Sequence, residues 1–311
     1  MPLKILFAAR SERWEEYRAP LTEALREAGL EAEVGPDVGP PEAVDYIVYA
    51  PNSDVQDFAP YTRLKAVLNL WAGVEDVVGN PTLKVPLARM VDPGLTEGMV
   101  EWVTGQVLRH HLGIDHALAH QAGAWVPHVP PLARNRPVTM LGLGELGRAC
   151  ATALSALNFP VTGWSRTPRD VPGIRCLSGP EGLGPALDGA QIAVLLLPDT
   201  PATGNILDAA AMARMAPGAV VINPGRGPLI DDDALLAALD TGQLGHATLD
   251  VFRTEPLPPA HPFWAHPKVT VTPHVASATR CDSASRTIVE NIRRGEAGEP
   301  FVHLVDRARG Y

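Results

Sequence analysis

No stretch of this chain is apolar for long enough to cross a membrane as a helix: the longest run, Ile192–Pro198, falls far short of the roughly 18 residues required. Nor is there a basic block able to track a phosphate backbone. Lys and Arg total 26 against 35 for Asp and Glu, a formal charge of −9, which argues against a nucleic-acid partner. Cysteine is scarce. Cys150, Cys176 and Cys281 are widely separated and odd in number, so neither a disulfide framework nor a paired metal knuckle is on offer, and a reducing cytoplasm is the expectation. The apolar segment Ile5–Ala9 runs into Arg10, Glu12 and Arg13 with no small-residue cleavage site, and reads as a first strand. Internal repeats and low-complexity tracts are missing too.

What is present is an ordinary globular composition, 46% apolar and 20% charged, with 28 glycines and 31 prolines that mark many turns. A length of 311 residues suggests about two domains. Short apolar runs alternate with helical patterns from the start: Lys4–Ala9, a helix over Arg13–Ala28 stopped by Gly29, then strands over Val44–Ala50 and Lys65–Leu70. Strand, helix, strand implies a parallel sheet. A long helix is predicted over Thr96–His120, with Val100, Val103 and Val107 on one face, as a connector. After Pro137 the alternation restarts, with strands over Val138–Leu141, Val161–Ser165, Ile192–Leu197, Ala219–Asn223, Ala247–Val251 and Val269–Thr272, which predicts a second and larger sheet. A final helix over Ser277–Gly295 cannot be a domain alone. Its simplest place is back on the first lobe, giving a discontinuous lobe (1–98 plus 277–311) around an inserted one (99–276), with a cleft between them.

Val138–Leu141 leads directly into Gly142-Leu143-Gly144-Glu145-Leu146-Gly147 and then an Ala- and Leu-rich helix. In that setting Gly142 permits a tight turn, Gly144 lets the backbone approach a pyrophosphate, and Gly147 permits close helix packing. The first amides of the helix, at Glu145, Leu146 and Gly147, offer donors to an anion. Dinucleotide binding is therefore expected. A free ribose 2′-hydroxyl usually meets an acidic residue at the end of the second strand. Here that stretch reads Trp164-Ser165-Arg166-Thr167, with no carboxylate before Asp170. Hydroxyl and guanidinium donors suit a 2′-phosphate, so NADP(H) is favoured and NAD(H) remains possible.

Three more segments stand just beyond predicted strands, where open α/β sheets place their ligands: Asn223-Pro224-Gly225-Arg226-Gly227, Thr254-Glu255-Pro256 and Thr272-Pro273-His274-Val275. An arginine, a carboxylate and a histidine at a nicotinamide suit reduction of a 2-oxo acid. Arg226 would hold the carboxylate and carbonyl oxygens, His274 would protonate the oxygen, and Glu255 would orient the imidazole. Asp231, Asp232 and Asp233 precede Ala234-Leu235-Leu236 and read as a helix cap. His110, His111, His116 and His120 lack a completed zinc signature, so no metal is expected.

The strings LGLGELG, GWSRT, LLLPDTPAT, INPGRGPLIDDDALLAALDTGQLGHATLDVF, EPLPP, HPKVTVTPHVA and VDRARGY span most of the chain. Together they resemble the D-2-hydroxyacid dehydrogenase family, in its glyoxylate/hydroxypyruvate reductase A branch. The resemblance implies two doubly wound parallel-sheet α/β domains, a Rossmann-type dinucleotide domain inserted into a discontinuous flavodoxin-like substrate domain. It implies Arg226 as substrate anchor, Glu255 as the partner of the histidine and His274 as general acid/base. It further implies that Asp250 contacts the nicotinamide carboxamide, that Leu197 and Pro198 line the cofactor, and that the amides of Ala72 and Gly73 receive the substrate carboxylate. Trp125 would lie at a homodimer interface and reach the partner's substrate pocket. Two positions depart from the branch: Pro224 removes a backbone donor beside Arg226, and Tyr49 stands where the substrate segment is expected to hold Trp. The expected activity is NADPH-dependent reduction of glyoxylate or hydroxypyruvate to glycolate or D-glycerate. The alternatives are a relative acting on another 2-oxo acid, or a cofactor-sensing binding protein of the corepressor kind.

Overall fold

The computed structural model describes residues 2–310. In chain order the main elements are β1 (Leu3–Ala8), α1 (Ser11–Glu27), β2 (Ala32–Gly35), β3 (Tyr46–Tyr49), β4 (Ala66–Asn69), α2 (Glu75–Val78), β5 (Leu87–Ala88), α3 (Pro93–Leu112) and α4 (Ile114–Ala119). They continue with β6 (Val138–Leu141), α5 (Glu145–Ala156), β7 (Val161–Ser165), β8 (Arg175–Ser178), α6 (Gly179–Leu187), β9 (Ile192–Leu195) and α7 (Ala209–Arg214). The last are β10 (Ala219–Asn223), α8 (Asp232–Thr241), β11 (Leu244–Leu249), β12 (Val269–Val271) and α9 (Cys281–Ala297). The chain divides into two compact units, Met1–Leu95 with Ala278–Tyr311, and Thr96–Ser277. The division falls in the first turn of α3. Among the described residues no helix is long and apolar enough to cross a membrane.

The first unit is built on a five-stranded parallel sheet of order β2-β1-β3-β4-β5. Every residue of β3 and β4 is buried, as a parallel strand covered on both faces requires. One face carries Ile5, Phe7, Tyr46 and Leu68 against Tyr17 and Leu21 of α1 and Ile288 and Ile292 of α9. The other carries Ile47, Tyr49 and Val67 against Val74, Val77 and Leu83. The strand order reverses between β1 and β3, and such switch points open crevices at the C-terminal ends of the strands.

The second unit holds a seven-stranded parallel sheet of order β12-β11-β10-β9-β6-β7-β8. Alternation along β10 is clear: Val221 faces one hydrophobic cluster with Leu235 and Leu239 of α8, while Ile222 faces the other with Val103 and Val107 of α3. Here the order reverses between β6 and β9, so the glycine turn after β6 sits at the switch point.

Three strands, β2, β5 and β8, escape the sequence pattern because they are edge or near-edge segments without a continuous apolar run; β8 has no buried residue. The helix expected over Thr96–His120 is instead two helices. Gly113 adopts φ +67, and a Cβ there would lie 2.6 Å from His128 Cδ2, so the chain turns out of α3 at a residue only glycine suits.

Candidate active site

Within the second unit the loops after β6, β7, β9, β10, β11 and β12 carry the candidate residues. Gly142 has φ +111, its amide donates to Trp164 O at 2.8 Å, and a Cβ there would lie 2.3 Å from Leu196 O. The loops leaving β6 and β9 thus touch backbone to backbone. A Cβ on Gly147 would lie 2.0 Å from Gly142 O, so α5 packs directly against the turn. Gly144 differs: it has ordinary extended torsions, φ −72 and ψ −168, and nothing lies within 4 Å of where its Cβ would be. Its small size is not required by any protein neighbour. It leaves open the approach to the first amides of α5, where no N-cap side chain competes for them. This cradle fits a dinucleotide pyrophosphate.

Beyond β7, Ser165 is buried and its hydroxyl donates to Thr167 O at 2.8 Å, closing a turn that leaves Arg166 and Thr167 exposed. After β9, Leu197 packs into the core at 9% exposure, and half-buried Pro198 offers its carbonyl to Thr203 Oγ1 at 2.7 Å. Thr203 also accepts from Thr200 N at 2.9 Å, so it locks this loop, a role its position in a polar string did not reveal.

Arg226 is held between two glycines that backbone crowding demands: a Cβ on Gly225 would lie 2.8 Å from Leu195 O, and one on Gly227 only 2.0 Å from Phe252 C. Asn223, 1% exposed, folds the segment around Pro224, its Oδ1 accepting from Gly225 N at 3.1 Å and its Nδ2 donating to Arg226 O at 2.9 Å. The side chain of Asn223 therefore shapes this turn. The guanidinium of Arg226 donates from Nη1 to Gly225 O at 2.7 Å.

Glu255 and His274 meet. Glu255 Oε1 accepts from Phe252 N at 2.9 Å, and Oε2 lies 2.7 Å from His274 Nδ1. A carboxylate can only accept, so Nδ1 carries a hydrogen and Nε2 is the ring atom left for other work. The imidazole side chain is 52% exposed and the carboxylate 35%, leaving both reachable. His274 adopts φ +54, an unusual conformation for a non-glycine residue, and its amide donates to Asp250 O at 2.8 Å.

Asp250 is the support beneath this loop. It is 0% exposed, and its Oδ1 accepts from Thr272 Oγ1 at 2.5 Å and Val275 N at 2.9 Å, while Oδ2 accepts from Ala276 N at 2.9 Å. The contact with a carboxamide expected of Asp250 would fall on a carboxylate that already holds this turn. That carboxylate is buried and engaged by the turn that presents His274.

In the first unit, Asn69 is buried at the end of β4 and donates from Nδ2 to Trp71 O at 2.9 Å and Gly73 O at 2.8 Å. Trp71 O also accepts from Met90 N at 3.0 Å. Because the peptide unit is planar and trans, fixing Trp71 O inward points the Ala72 amide the opposite way. Gly73, like Ala72, is half-buried just before α2. Tyr49 is a correction. It is 1% exposed in the sheet core, with its ring 5.3 Å from that of Phe58, so it is a packing residue and not a surface for substrate. Ala50 and Asn52, with Arg10 and Trp71, line an open pocket at the C-terminal ends of β1, β3 and β4. Trp125 is 95% exposed. Asp231 caps α8, its Oδ1 accepting from Ala234 N at 3.0 Å. Among the described residues, no group of three or more His, Cys, Asp or Glu is disposed to hold a metal ion.

These features define a dinucleotide-binding α/β protein with a histidine–carboxylate pair at the C-terminal edge of its larger sheet. Residues 105–276 match the family model of the D-isomer specific 2-hydroxyacid dehydrogenase NAD binding domain. The chain belongs to that dehydrogenase family, and its likeness lies with the glyoxylate/hydroxypyruvate reductase A branch. It is 40% identical over 306 residues to glyoxylate/hydroxypyruvate reductase A of Serratia proteamaculans, covering 96% of each chain. A D-isomer specific 2-hydroxyacid dehydrogenase from Xanthobacter autotrophicus Py2, solved with NADPH and MES, matches at 40% identity over 100% of both chains with a TM-score of 0.93. The NADPH-dependent glyoxylate/hydroxypyruvate reductase of Sinorhizobium meliloti, solved with NADP and sulfate, matches at 35% identity over 100% of this chain and 99% of its own, with a TM-score of 0.86.

Proposed function

We propose that this chain reduces glyoxylate and hydroxypyruvate to glycolate and D-glycerate with NADPH. The observation that carries the reading is the 2.7 Å pair between His274 Nδ1 and Glu255 Oε2, raised on a loop that buried Asp250 holds. NADPH, when bound, supplies the hydride. The second unit would hold it through the Gly142–Gly147 turn and the first amides of α5, with Leu197 and Pro198 beside it. Ser165, Arg166 and Thr167, in a turn free of carboxylates, would receive the 2′-phosphate.

The chain's own groups then divide the remaining work. Arg226 of the second unit would serve as anchor for the acid, and in the first unit the amides of Ala72 and Gly73 would serve as donors to a carboxylate. Glu255 keeps the hydrogen on Nδ1 and orients the ring, and His274 Nε2 gives a proton to the carbonyl oxygen. Three free thiols fit a reducing, cytoplasmic setting. The exposed side chains of Trp125, Val129 and Leu132 favour a homodimer formed through this segment.

Initial rates of NADPH and, separately, NADH oxidation with glyoxylate, hydroxypyruvate and pyruvate test this. Faster turnover with NADPH and with the first two acids is expected. Tight NADPH binding without turnover of any 2-oxo acid would refute the reading.

A further inference from the structure

Resting on the functional reading above, we propose that Arg307 in the C-terminal tail is a positioning residue: it fastens the loop that presents the Ala72 and Gly73 amides, and so sets affinity for the acid. The loop needs such a fastening. Helix α2 is a single turn of four residues, far too short to hold itself, and Val74 at its N-cap offers no capping group.

Two elements of the tail supply what α2 lacks. Val305, 6% exposed, enters the hydrophobic cluster that contains Val74 and Val77. From the next turn Arg307 spreads its fork over three carbonyls, Nε donating to Val78 O at 3.1 Å, Nη2 to Asn80 O at 2.9 Å, and Nη1 to Leu83 O. Val78 and Asn80 lie at the C-terminal end of α2, where carbonyls lack helical partners and a cation is favoured. A guanidinium can satisfy three separate acceptors in one plane, and an ammonium on a flexible stem does so poorly.

The tail is itself anchored, so the fork has something to pull against. Arg89 N donates to His303 O at 3.0 Å and Val305 N to Leu87 O at 2.8 Å, alongside an antiparallel bridge between Ala88 and Leu304. Asn291 of α9, 2% exposed, accepts from Val302 N at 2.8 Å and donates to Val302 O at 3.3 Å. With Asn69 gripping Trp71 O and Gly73 O, the segment from Trp71 to Leu83 is held at both ends by its carbonyls. The Ala72 amide stays directed away from that grip.

Removing Arg307 frees only the α2 end, which weakens capture of the acid and leaves the groups that do the chemistry in place. For Arg307→Ala in the full chain, KM for glyoxylate is expected to rise about tenfold, with kcat and KM for NADPH within about twofold of wild type. Arg309→Ala removes the same charge from a residue whose ion-pair partner among the described residues is Asp306 of the tail, and should leave KM unchanged. If Arg307→Ala does not fold, Arg307→Lys carries the same test with a smaller rise. A lowered Tm with unchanged KM for glyoxylate in the Arg307 variant, or an equal rise in the Arg309 variant, would overturn the inference alone. A wild-type chain that turned over no 2-oxo acid would overturn the functional reading, and this inference with it.

Discussion

Replacing Asp250 with Asn probes the support of the catalytic loop without changing its volume. In the native turn Oδ1 takes two hydrogen bonds, from Thr272 Oγ1 and Val275 N, and Oδ2 takes one from Ala276 N, all at a site with 0% exposure. An amide can present only one oxygen. If it serves Thr272 and Val275, its NH2 group faces the Ala276 N–H, donor against donor; the reverse orientation strands the other pair. One charge-assisted bond lost and one buried donor left unsatisfied together cost about 3 kcal/mol. The turn can relieve this by relaxing His274 from φ +54, which moves the imidazole off Glu255. A shift of about 1 Å in a reacting group is enough to lower kcat on the order of a hundredfold. The assay is kcat for glyoxylate reduction with saturating NADPH, beside the urea midpoint of the same variant. Asp250→Asn with kcat within twofold of wild type would refute the argument that this carboxylate holds the catalytic histidine.

Other expectations follow from the same geometry. Gly144→Ala puts its methyl group into open space at an ordinary φ, so stability should change by less than about 0.5 kcal/mol while NADPH affinity, read by fluorescence titration, falls at least tenfold. Gly147→Ala forces a Cβ to 2.0 Å from Gly142 O, and should destabilise the fold by several kcal/mol, about 3 or more, in urea unfolding; equal stability of the two variants would contradict the turn geometry. Arg166→Ala should weaken NADPH binding far more than NADH binding, and a parallel loss of both would remove it from 2′-phosphate recognition.

Acid should weaken the second unit. Burial, then His246 and Arg109, pushes His110 down to about 3, against the pull of Asp115; His246 is lowered too, again mainly by burial. The folded state keeps His110 neutral while the unfolded chain takes up a proton below about 6.5, so its stability contribution is complete above that pH and is lost as pH falls toward 3. At pH 4 that amounts to about 3 kcal/mol from His110. His110→Gln should shrink the stability difference between pH 7 and pH 4, and an unchanged difference would contradict this assignment.

The parts of the fold legible in the sequence are those where one physical demand acts alone. Strands buried on both faces, such as β3, β6 and β10, must be mostly apolar, and β7 and β10 occupy the segments their apolar runs predict. Edge strands obey no such demand, so β2 and β8 leave no comparable trace. Gly113 ends a helix through its left-handed φ, and the room that a side chain there would need is taken by His128, which lies outside any helical period. Tyr49 shows the opposite limit. Its segment lies at a functional edge, but strand alternation turns its ring into the core. Tertiary support is the least legible layer: Asp250 and Arg307 act by gripping backbone atoms of other segments, and nothing in their local sequence states which.

The most direct test of the whole account is NADPH-dependent reduction of glyoxylate by wild type and His274→Ala, with NADPH affinity measured on both. His274→Ala is expected to bind NADPH as wild type does and to lose on the order of a hundred- to ten-thousandfold in kcat. A variant that kept its rate, or a wild type that lacked one, would contradict the assignment of proton delivery to His274.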